Sequence, residues 1–250
     1  MNGHPLLEAR AVSVRFGGLT AVDAVSAAFA PGELVGIIGP NGAGKTTFFN
    51  ALSGVAQPTS GQIFMQGERL TGASPHRYAQ RGIARTFQTP RVFAELPVAA
   101  NIDFGLQFAG RHRQGSWLLR DAVGILNLIG LAPQTALPAA AITPSQQRLL
   151  EIGMALATRP RLLLLDEVAA GLTESEIEAM AQLVRRLRDD LDLTVIWIEH
   201  AVTTLLQHVE RVIVLHQGRK IADGAPAEVV RNAEVVEAYL GDEMIEAVAA

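Results

Sequence analysis

A glycine-rich segment is the clearest chemical signal in the sequence. Residues 39–47 read Gly-Pro-Asn-Gly-Ala-Gly-Lys-Thr-Thr, which fits the phosphate-binding P-loop pattern G-x-x-x-x-G-K-[ST]. Glycines let the backbone close around a polyphosphate, and the loop N–H groups attract its negative charge. The pattern predicts that Lys45 reaches the β- and γ-phosphates of a nucleotide and that the Thr46 hydroxyl binds Mg²⁺. The predicted phosphate-binding residues are Gly39, Pro40, Asn41, Gly42, Ala43, Gly44, Lys45, Thr46 and Thr47.

The sequence on either side of this loop supports the assignment. Residues 34–38 form a short apolar run typical of a buried parallel strand, and residues 46–52 follow as a predicted helix. The N-terminus of such a helix adds positive charge at the phosphate. A chance glycine-rich turn is the alternative, and the arrangement of strand, loop and helix argues against it.

Two acidic residues follow a second apolar run. Residues 162–165 are four leucines, typical of a strand buried on both faces, and Asp166 and Glu167 end it. Ligands bind at the carboxyl ends of parallel strands, so Asp166 is predicted to bind Mg²⁺ beneath the P-loop. Glu167 is predicted to orient and deprotonate a water molecule, a role worth roughly 10²–10⁴-fold in rate. Two solvated acids at a strand end are the alternative.

Two further strand ends carry polar side chains that suit the same site. The predicted strand over residues 82–88 ends at Gln88, and the predicted strand over residues 193–198 is followed closely by His200. An isolated histidine is more often structural than catalytic. The carboxyl ends of neighbouring parallel strands meet at one rim, however, so His200 is predicted to lie beside Asp166.

Phe16 has two opposed interpretations. It ends a predicted strand over residues 12–16, in which apolar and polar residues alternate, and Gly17 and Gly18 follow it. One interpretation is a stacking platform for adenine, a contact worth roughly 1–3 kcal/mol per base by analogy with nucleic-acid recognition. The other is an ordinary core position, which the residue type alone favours.

Composition excludes several classes of protein. The chain has 250 residues, 49% of them hydrophobic, which suffices for one large domain or a domain with a small lobe. A formal charge of −4 gives no basic surface for nucleic acid. There is no cysteine, no apolar run of about 18 residues, and no signal-peptide pattern at the start. We therefore expect a soluble cytosolic protein that reaches a membrane only through partner subunits.

The order of the predicted elements indicates an α/β fold with an insertion. Strand-like runs precede and follow a block, from about residue 90 to 150, whose pattern is helical with proline and glycine breaks. An α/β core with a β subdomain is predicted over residues 1–88 and 160–250, and a helical subdomain over residues 89–159. Near the end, residues 211–216 and 219–222 are predicted to form a β-hairpin.

Two helix starts carry strong local signals. Residues 143–146, Thr-Pro-Ser-Gln, combine an N-cap threonine, a proline at the first helical position and the glutamine of a capping box. This helix is expected to end before Pro160. Residues 173–176 form a second predicted capping box, at the start of an amphipathic helix over residues 174–190.

These motifs, in this order and over nearly the whole chain, resemble the ATP-binding subunits of ABC transporters. The matching motifs are, in chain order, the aromatic adenine contact Phe16, Walker A at 39–47, the Q-loop Gln88, Walker B with its catalytic acid at 162–167, the D-loop at 170–173 and the switch histidine His200. The resemblance implies a P-loop NTPase of the RecA-like α/β class, with an antiparallel β subdomain and an inserted α-helical subdomain.

The resemblance also implies an activity and a set of partners. It implies an ATPase that uses ATP and Mg²⁺, with Glu167, Gln88 and His200 in the chemistry and Thr46, Gln88 and Asp166 around the metal. Two cassettes are implied to sandwich two ATP molecules, each held by one cassette's Walker motifs and the other's signature sequence. Transmembrane permease subunits would hold the chain peripherally at the cytoplasmic face of the membrane.

The signature sequence departs from the family's pattern. It usually reads Leu-Ser-Gly-Gly-Gln or Leu-Ser-Tyr-Gly-Gln, and here residues 142–146 read Ile-Thr-Pro-Ser-Gln. Thr143, Ser145 and Gln146 are the predicted contacts to the partner's ATP. Ser145, however, has a side chain where glycine lets the backbone approach the γ-phosphate, and Pro144 lacks an N–H group.

These departures predict two unequal ATP sites. Val168 replaces the usual proline after Glu167, and Thr173 replaces the usual acid or amide of the D-loop. The changes affect the half-site that this chain's signature completes and leave its own Walker half intact. We therefore predict a heterodimer whose partner supplies a standard signature. The alternative is that Thr143 and the helix N-terminus suffice and the variation is neutral.

A narrower resemblance is to the cassettes of branched-chain amino acid importers. It rests on residues 84–88, 197–200, 218–224 and 237–241. A cassette for another small polar solute remains an alternative. A soluble ABC protein of DNA repair or translation would carry a long coiled-coil insertion or two cassettes in one chain, and the sequence has neither. A P-loop kinase is not expected to carry these motifs in this order.

Overall fold

The computed structural model describes residues 5–108, 121–199 and 202–239. Its strands are β1 Leu7–Phe16, β2 Leu19–Phe29, β3 Leu34–Ile38, β4 Ser60–Met65, β5 Glu68–Arg69, β6 Ile83–Arg85, β7 Leu162–Asp166, β8 Thr194–Ile198, β9 Arg211–His216 and β10 Arg219–Gly224. Its helices are α1 Lys45–Leu52, α2 Pro75–Gln80, α3 Val98–Gln107, α4 Ala122–Leu128, α5 Pro144–Ala157, α6 Glu174–Leu191, α7 Val202–His208, α8 Pro226–Val229 and α9 Ala233–Tyr239.

A six-stranded sheet in the order β10-β9-β3-β8-β7-β6 forms the centre of the fold. The strands from β9 to β6 pair in parallel, and β10 pairs antiparallel to β9 at the edge. Residues of β3 and β7 are buried along their whole length, as expected for strands covered on both faces. The carboxyl ends of β3, β8 and β7 therefore meet at one rim, which is where ligands bind in such sheets.

Alternate residues of these strands supply two hydrophobic cores, one on each face of the sheet. In β7, Leu163 and Leu165 pack with α5 and α6, whereas Leu162 and Leu164 pack with α1 and the second sheet. The other central strands divide in the same way because successive side chains of a strand point to opposite faces.

A second, antiparallel sheet in the order β2-β1-β4-β5 packs beside the core. The pairing of β1 with β2 contains register shifts, one of them between Val14 and Arg15. The buried Ser13 accepts a hydrogen bond from the Ala24 N–H at 2.9 Å. The strict alternation predicted for residues 12–16 is therefore broken by bulges.

The helix starts behave as predicted. Thr143 caps α5 and Thr173 caps α6, each in a capping box completed by the residue three positions later, Gln146 and Glu176. Helices α3 and α4 both pack against α5 within the segment predicted as the helical subdomain. The boundaries of that subdomain remain a prediction. No helix in the described ranges is both long and apolar enough to cross a bilayer.

Two elements differ from the prediction. Strand β6 ends at Arg85, three residues before Gln88, and the Phe87 N–H beyond it donates to the Glu151 carboxylate on α5. Helix α2 was not predicted, since its six residues are too few to show a helical period. Two short 3₁₀ turns, Ala132–Gln134 and Ala139–Ala141, lead into α5.

Candidate nucleotide-binding site

The P-loop joins β3 to α1, and two of its glycines are required by backbone geometry. Gly42 and Gly44 have φ angles of 78° and 96°, in the left-handed region that other residues rarely adopt. A Cβ atom on Gly44 would lie 2.3 Å from Ala21 O, whereas one on Gly42 would meet nothing within 4 Å. Gly44 is therefore fixed by packing, and Gly42 leaves the loop open on its outer side.

Lys45 begins α1, and its ammonium group lies inside the loop. Its Nζ donates hydrogen bonds to Gly39 O at 2.6 Å and to Pro40 O at 3.1 Å, and the residue is buried. Burial lowers the pKa of Lys45, and the negative charge of Glu167 acts in the opposite direction. The loop lysine and the acid that follows β7 therefore belong to one site.

A cleft of about 590 Å³ opens beside the loop, a size within the range of small-molecule sites, roughly 300–1,000 Å³. Its lining residues are Phe16, Leu19, Thr20, Ala21, Asn41, Gly42, Ala43, Gly44, Lys45, Thr46, Thr47, Glu167, Gln217 and Gly218. Of the two interpretations of Phe16, the core position is wrong, because 57% of the residue is exposed. Phe16 and its cross-strand partner Leu19 stand at the end of the second sheet, beyond the bulges that break the alternation.

Gln88 and Glu167 are brought together at the rim. The Gln88 Nε2 atom donates a hydrogen bond to Glu167 Oε2 at 2.6 Å. Glu167 is buried, and its backbone has a φ of 51°, which is uncommon for a residue other than glycine and is often found at functional sites. Arg148, on α5, donates to the Glu167 carbonyl oxygen at 2.7 Å.

Asp166 is held by a guanidinium group that the sequence analysis missed. Arg85, at the end of β6, places its Nη2 atom 3.2 Å from Asp166 Oδ2; the Asp166 side chain is buried and that of Arg85 is largely buried. The same guanidinium donates to Asn50 Oδ1 at 2.7 Å and to Ser53 Oγ at 3.0 Å, on and just after α1. Arg85 therefore connects the helix after the P-loop to the predicted metal ligand. Burial lowers the pKa of Arg85, and the Asp166 carboxylate acts against this.

The residue after β8 carries a carboxylate that sequence reasoning also missed. Glu199 is 3% exposed, and its Oε1 atom accepts hydrogen bonds from the Ala169 N–H at 2.7 Å and from Trp197 Nε1 at 3.0 Å. It thereby ties the end of β8 to the segment after Glu167. His200 lies outside the described residues.

The residues around the predicted metal position fit a magnesium ion that binds together with phosphates. No group of three or more histidine, aspartate or glutamate side chains in the described ranges could hold a metal alone. Asp166 and the exposed Thr46 instead offer the hard oxygen donors that Mg²⁺ prefers, and Mg²⁺ usually takes few protein ligands plus substrate phosphates. The open cradle at Gly42 fits those phosphates.

The signature residues lie apart from this cleft. Thr143, Ser145 and Gln146 line a separate groove of about 640 Å³ between the end of α4, the start of α5 and α6. The Ser145 hydroxyl lies 2.9 Å from Thr143 Oγ1. Hydrogen bonds from Thr173 and from the Ser145 hydroxyl hold the pKa of Glu176 below its usual value. The signature segment is thus hydrogen-bonded within its own chain.

Two known families match the chain. Residues 22–170 match the family described as ABC transporter, and residues 219–244 match the family described as branched-chain amino acid ATP-binding cassette transporter. The first match covers more than half of the chain. The chain therefore belongs to the ABC transporter family, within which it is an ATP-binding cassette.

Curated relatives match over nearly the whole chain. The high-affinity branched-chain amino acid transport ATP-binding protein BraF of Pseudomonas aeruginosa is 37% identical over 254 residues, covering 95% of this chain and 98% of BraF. The corresponding protein LivG of Escherichia coli K12 is 37% identical over 252 residues, with the same coverage. An iron import ATP-binding protein of Streptomyces avermitilis, FbpC, is 34% identical over 239 residues, covering 94% of this chain and 68% of FbpC.

Solved structures agree with the fold. The ADP conformation of an ATP-binding cassette of an ABC transporter has a TM-score of 0.84 and 28% identity, covering 95% of this chain and 99% of that one. A nucleotide-free cassette gives 0.83 and 27%, covering 95% and 100%. The predicted P-loop NTPase fold is confirmed. The chain is an ATPase that uses ATP and Mg²⁺, as its family does.

Proposed function

We propose that this chain powers an importer of branched-chain or other small amino acids, bound to permease subunits at the cytoplasmic face of the membrane. The names of BraF and LivG and the match at residues 219–244 support this solute class. They also favour transport over the alternative of a soluble ABC protein.

The hydrolytic roles follow from where the side chains lie. Glu167 is the general base, because its buried carboxylate lines the cleft beside Lys45 and accepts the Gln88 amide at 2.6 Å. The hydrogen bond between Gln88 and Glu167 is the observation that carries the proposed hydrolytic roles. Gln88 orients the carboxylate and the attacking water, and Lys45 binds the β- and γ-phosphates. When bound, Mg²⁺ neutralises charge on the phosphates.

The remaining site residues bind and orient the nucleotide. Thr46, Gln88 and Asp166 would hold the metal, and Arg85 keeps the Asp166 carboxylate in place. The exposed Phe16 ring stacks on adenine, a contact that requires no particular hydrogen-bonding edge of the base. The other loop residues, apart from Pro40, which has no N–H, would present backbone N–H groups to the phosphates, and His200 would contact the γ-phosphate or the attacking water.

The permease subunits dock on an aromatic patch formed by Phe93, Phe104 and Phe108. Phe93 and Phe104 have ring centroids 4.6 Å apart, and Phe104 and Phe108 are 5.1 Å apart. All three are exposed, Phe108 to 65%. Contiguous exposed apolar surface of this kind marks interaction sites. The patch is close to Gln88 along the chain, because Phe93 comes five residues after Gln88. The Phe93 N–H donates to Asn101 Oδ1 at 2.7 Å, which ties this segment to α3.

Retention of the permeases tests the docking surface. The tagged chain is isolated from membranes in mild detergent, and the integral proteins that accompany it are quantified. Phe104→Ser is expected to lose them, whereas Val55→Ser, at another exposed apolar position, keeps them. Equal retention by the two variants contradicts the docking surface.

Uptake tests the solute. Cells whose only copy carries Lys45→Ala are expected to lose uptake of labelled leucine, isoleucine or valine and to keep uptake of a sugar. Unchanged amino acid uptake, with the variant protein present at the normal level, contradicts the solute assignment.

The working dimer pairs this chain with a different cassette. Three observations support this: Pro144 has no N–H group, Ser145 replaces glycine, and the Ser145 hydroxyl is hydrogen-bonded within the chain. A partner with a standard signature completes the site at Lys45. The partner's own ATP meets Ser145 and turns over slowly.

A further inference from the structure

Helix α5 carries a buried carboxylate that the reaction scheme does not use. Glu151 is 5% exposed and lies between the buried Leu150 and Ile152. Its two oxygens accept separate backbone hydrogen bonds, Oε2 from the Phe87 N–H at 3.2 Å and Oε1 from the Arg91 N–H at 2.9 Å. A charged group in such a position is costly unless it is hydrogen-bonded, so both bonds are needed.

The two N–H groups stand on either side of Gln88 in the chain. Two guanidinium groups also contact the Phe87 ring, with Arg85 Cζ 4.6 Å and Arg91 Cζ 4.1 Å from its centroid. The Gln88 side chain is exposed, but the backbone that carries it is fixed at both ends by Glu151. Because the backbone is already anchored, orienting Gln88 costs only the rotamer entropy of its side chain and no further backbone entropy.

Helix α5 also holds Glu167, the hydrogen-bond partner of Gln88. Arg148 is one turn before Glu151, and its Nη1 atom donates to the Glu167 carbonyl oxygen at 2.7 Å. Glu167 has its uncommon φ of 51° at this point. The Gln88–Glu167 hydrogen bond at 2.6 Å completes a ring of contacts that begins and ends on α5. Glu151 fixes one side of the ring and Arg148 the other.

We propose that Glu151 is a positioning residue for ATP hydrolysis, which holds the Q-loop backbone so that the Gln88 amide stays on the Glu167 carboxylate. This rests on the proposed roles of Gln88 and Glu167. The carboxylate is suited to the task because it has two acceptor oxygens for two N–H donors. An amide has one acceptor, and its NH₂ group would face the second N–H.

Positively charged side chains and backbone N–H groups face the Glu151 carboxylate. Arg148 on the same helix and Arg91 from the Q-loop lie near enough to lower the pKa of the carboxyl, as do the two backbone N–H donors, but burial raises it by more. The two N–H donors and the two arginines therefore only partly offset the cost of burying the carboxylate charge.

A double-mutant cycle tests the proposal. The ATPase rate of the complex isolated from membranes with the tagged chain is measured at saturating ATP and Mg²⁺ for Glu151→Ala, Gln88→Ala and the double variant, and ATP affinity is measured by equilibrium titration of the purified chain. Glu151→Ala is expected to lower kcat about 10- to 10²-fold, as misplacement of a catalytic group does, with ATP affinity unchanged. The double variant is expected to match Gln88→Ala, because Glu151 acts through Gln88.

The controls separate positioning from a general structural role. Glu178→Ala, at an exposed acid on α6, is expected to leave kcat unchanged in both backgrounds. Glu151→Gln keeps the size of the side chain and one acceptor, and an intermediate kcat is expected. It replaces Glu151→Ala in the cycle if the alanine variant does not fold, as judged by circular dichroism and thermal melting.

Three outcomes contradict the proposal in distinguishable ways. Additive losses in the double variant, or wild-type kcat for the Glu151 variants alongside an impaired Gln88→Ala, overturn the positioning role and leave the proposed function intact. A wild-type rate for Gln88→Ala removes the role of Gln88 itself, and the positioning proposal with it.

Discussion

Restoring a standard signature should raise the ATPase rate of the isolated chain. The change is Thr143→Ser, Pro144→Gly and Ser145→Gly together. In the structure, Pro144 has no N–H to offer a phosphate, and the Ser145 hydroxyl is 2.9 Å from Thr143 Oγ1 and hydrogen-bonded to Glu176. The replacement supplies a backbone N–H at position 144 and removes the side chain at position 145.

The expected effects on rate and on stability have opposite signs. One preorganised donor at a developing oxyanion is worth about 10²–10³ in rate, or roughly 3–4 kcal/mol. A glycine in a helix costs roughly 1 kcal/mol relative to alanine, and two are placed in the first turn of α5. The free energy of unfolding should therefore fall by about 1–2 kcal/mol while the rate rises. A general stabilising effect could not produce that combination.

The assay compares ATPase rates at high protein concentration, where two copies of the chain can form a dimer. Dimerisation on ATP is confirmed separately in a Glu167→Gln background by light scattering. Pro75→Gly is the matched control, since it removes a proline from the first turn of another helix, α2. No gain from the restored signature, with dimers present, refutes the asymmetric-site argument. A gain from Pro75→Gly would refute it as well.

Three further predictions concern the Walker half and α5. Lys45→Ala should abolish ATP binding in an equilibrium titration, because it removes the ammonium charge that faces the β- and γ-phosphates. Unchanged affinity contradicts the P-loop assignment. Phe16→Ala should weaken ATP binding by roughly 1–3 kcal/mol, with Phe16→Tyr close to wild type, and equal affinities contradict the stacking role. Burial raises the pKa of Glu151 above 4.5, so its contribution to stability is present below that value and is lost as the pH rises through the raised pKa. Urea unfolding at a series of pH values should therefore show wild type losing stability relative to Glu151→Gln as the pH rises, and a constant difference contradicts this.

The central strands and the P-loop could be predicted because their signals are local. The leucine run at residues 162–165 has to be buried on both faces, and the structure buries all of β7. The capping boxes at Thr143 and Thr173 involve residues three positions apart, so the sequence contains all of the chemistry. The hairpin of β9 and β10 follows from its Gln217-Gly218 turn.

The missed features depend on contacts between distant parts of the chain. The residue type alone favoured a core position for Phe16, and only the family resemblance favoured the adenine contact, because the bulges of β1 that leave Phe16 exposed do not show in an alternating sequence. Arg85 is 81 residues from Asp166, and Glu151 is 64 residues from Phe87. A charged residue inside an apolar run was the available signal at both positions. The partner of each charge depends on the order of strands in the sheet, which those runs do not specify.

Glu167→Gln tests the central claim most directly, because it removes the proposed base and keeps the size of the side chain. The measurement is ATP affinity and hydrolysis on the same preparation, with Glu174→Gln as a control at an exposed acid that begins α6. We predict that Glu167→Gln binds ATP as wild type does and hydrolyses it at least about 10²-fold more slowly, while the control does both normally. Hydrolysis by Glu167→Gln at the wild-type rate would contradict the assignment of Glu167 as the catalytic base.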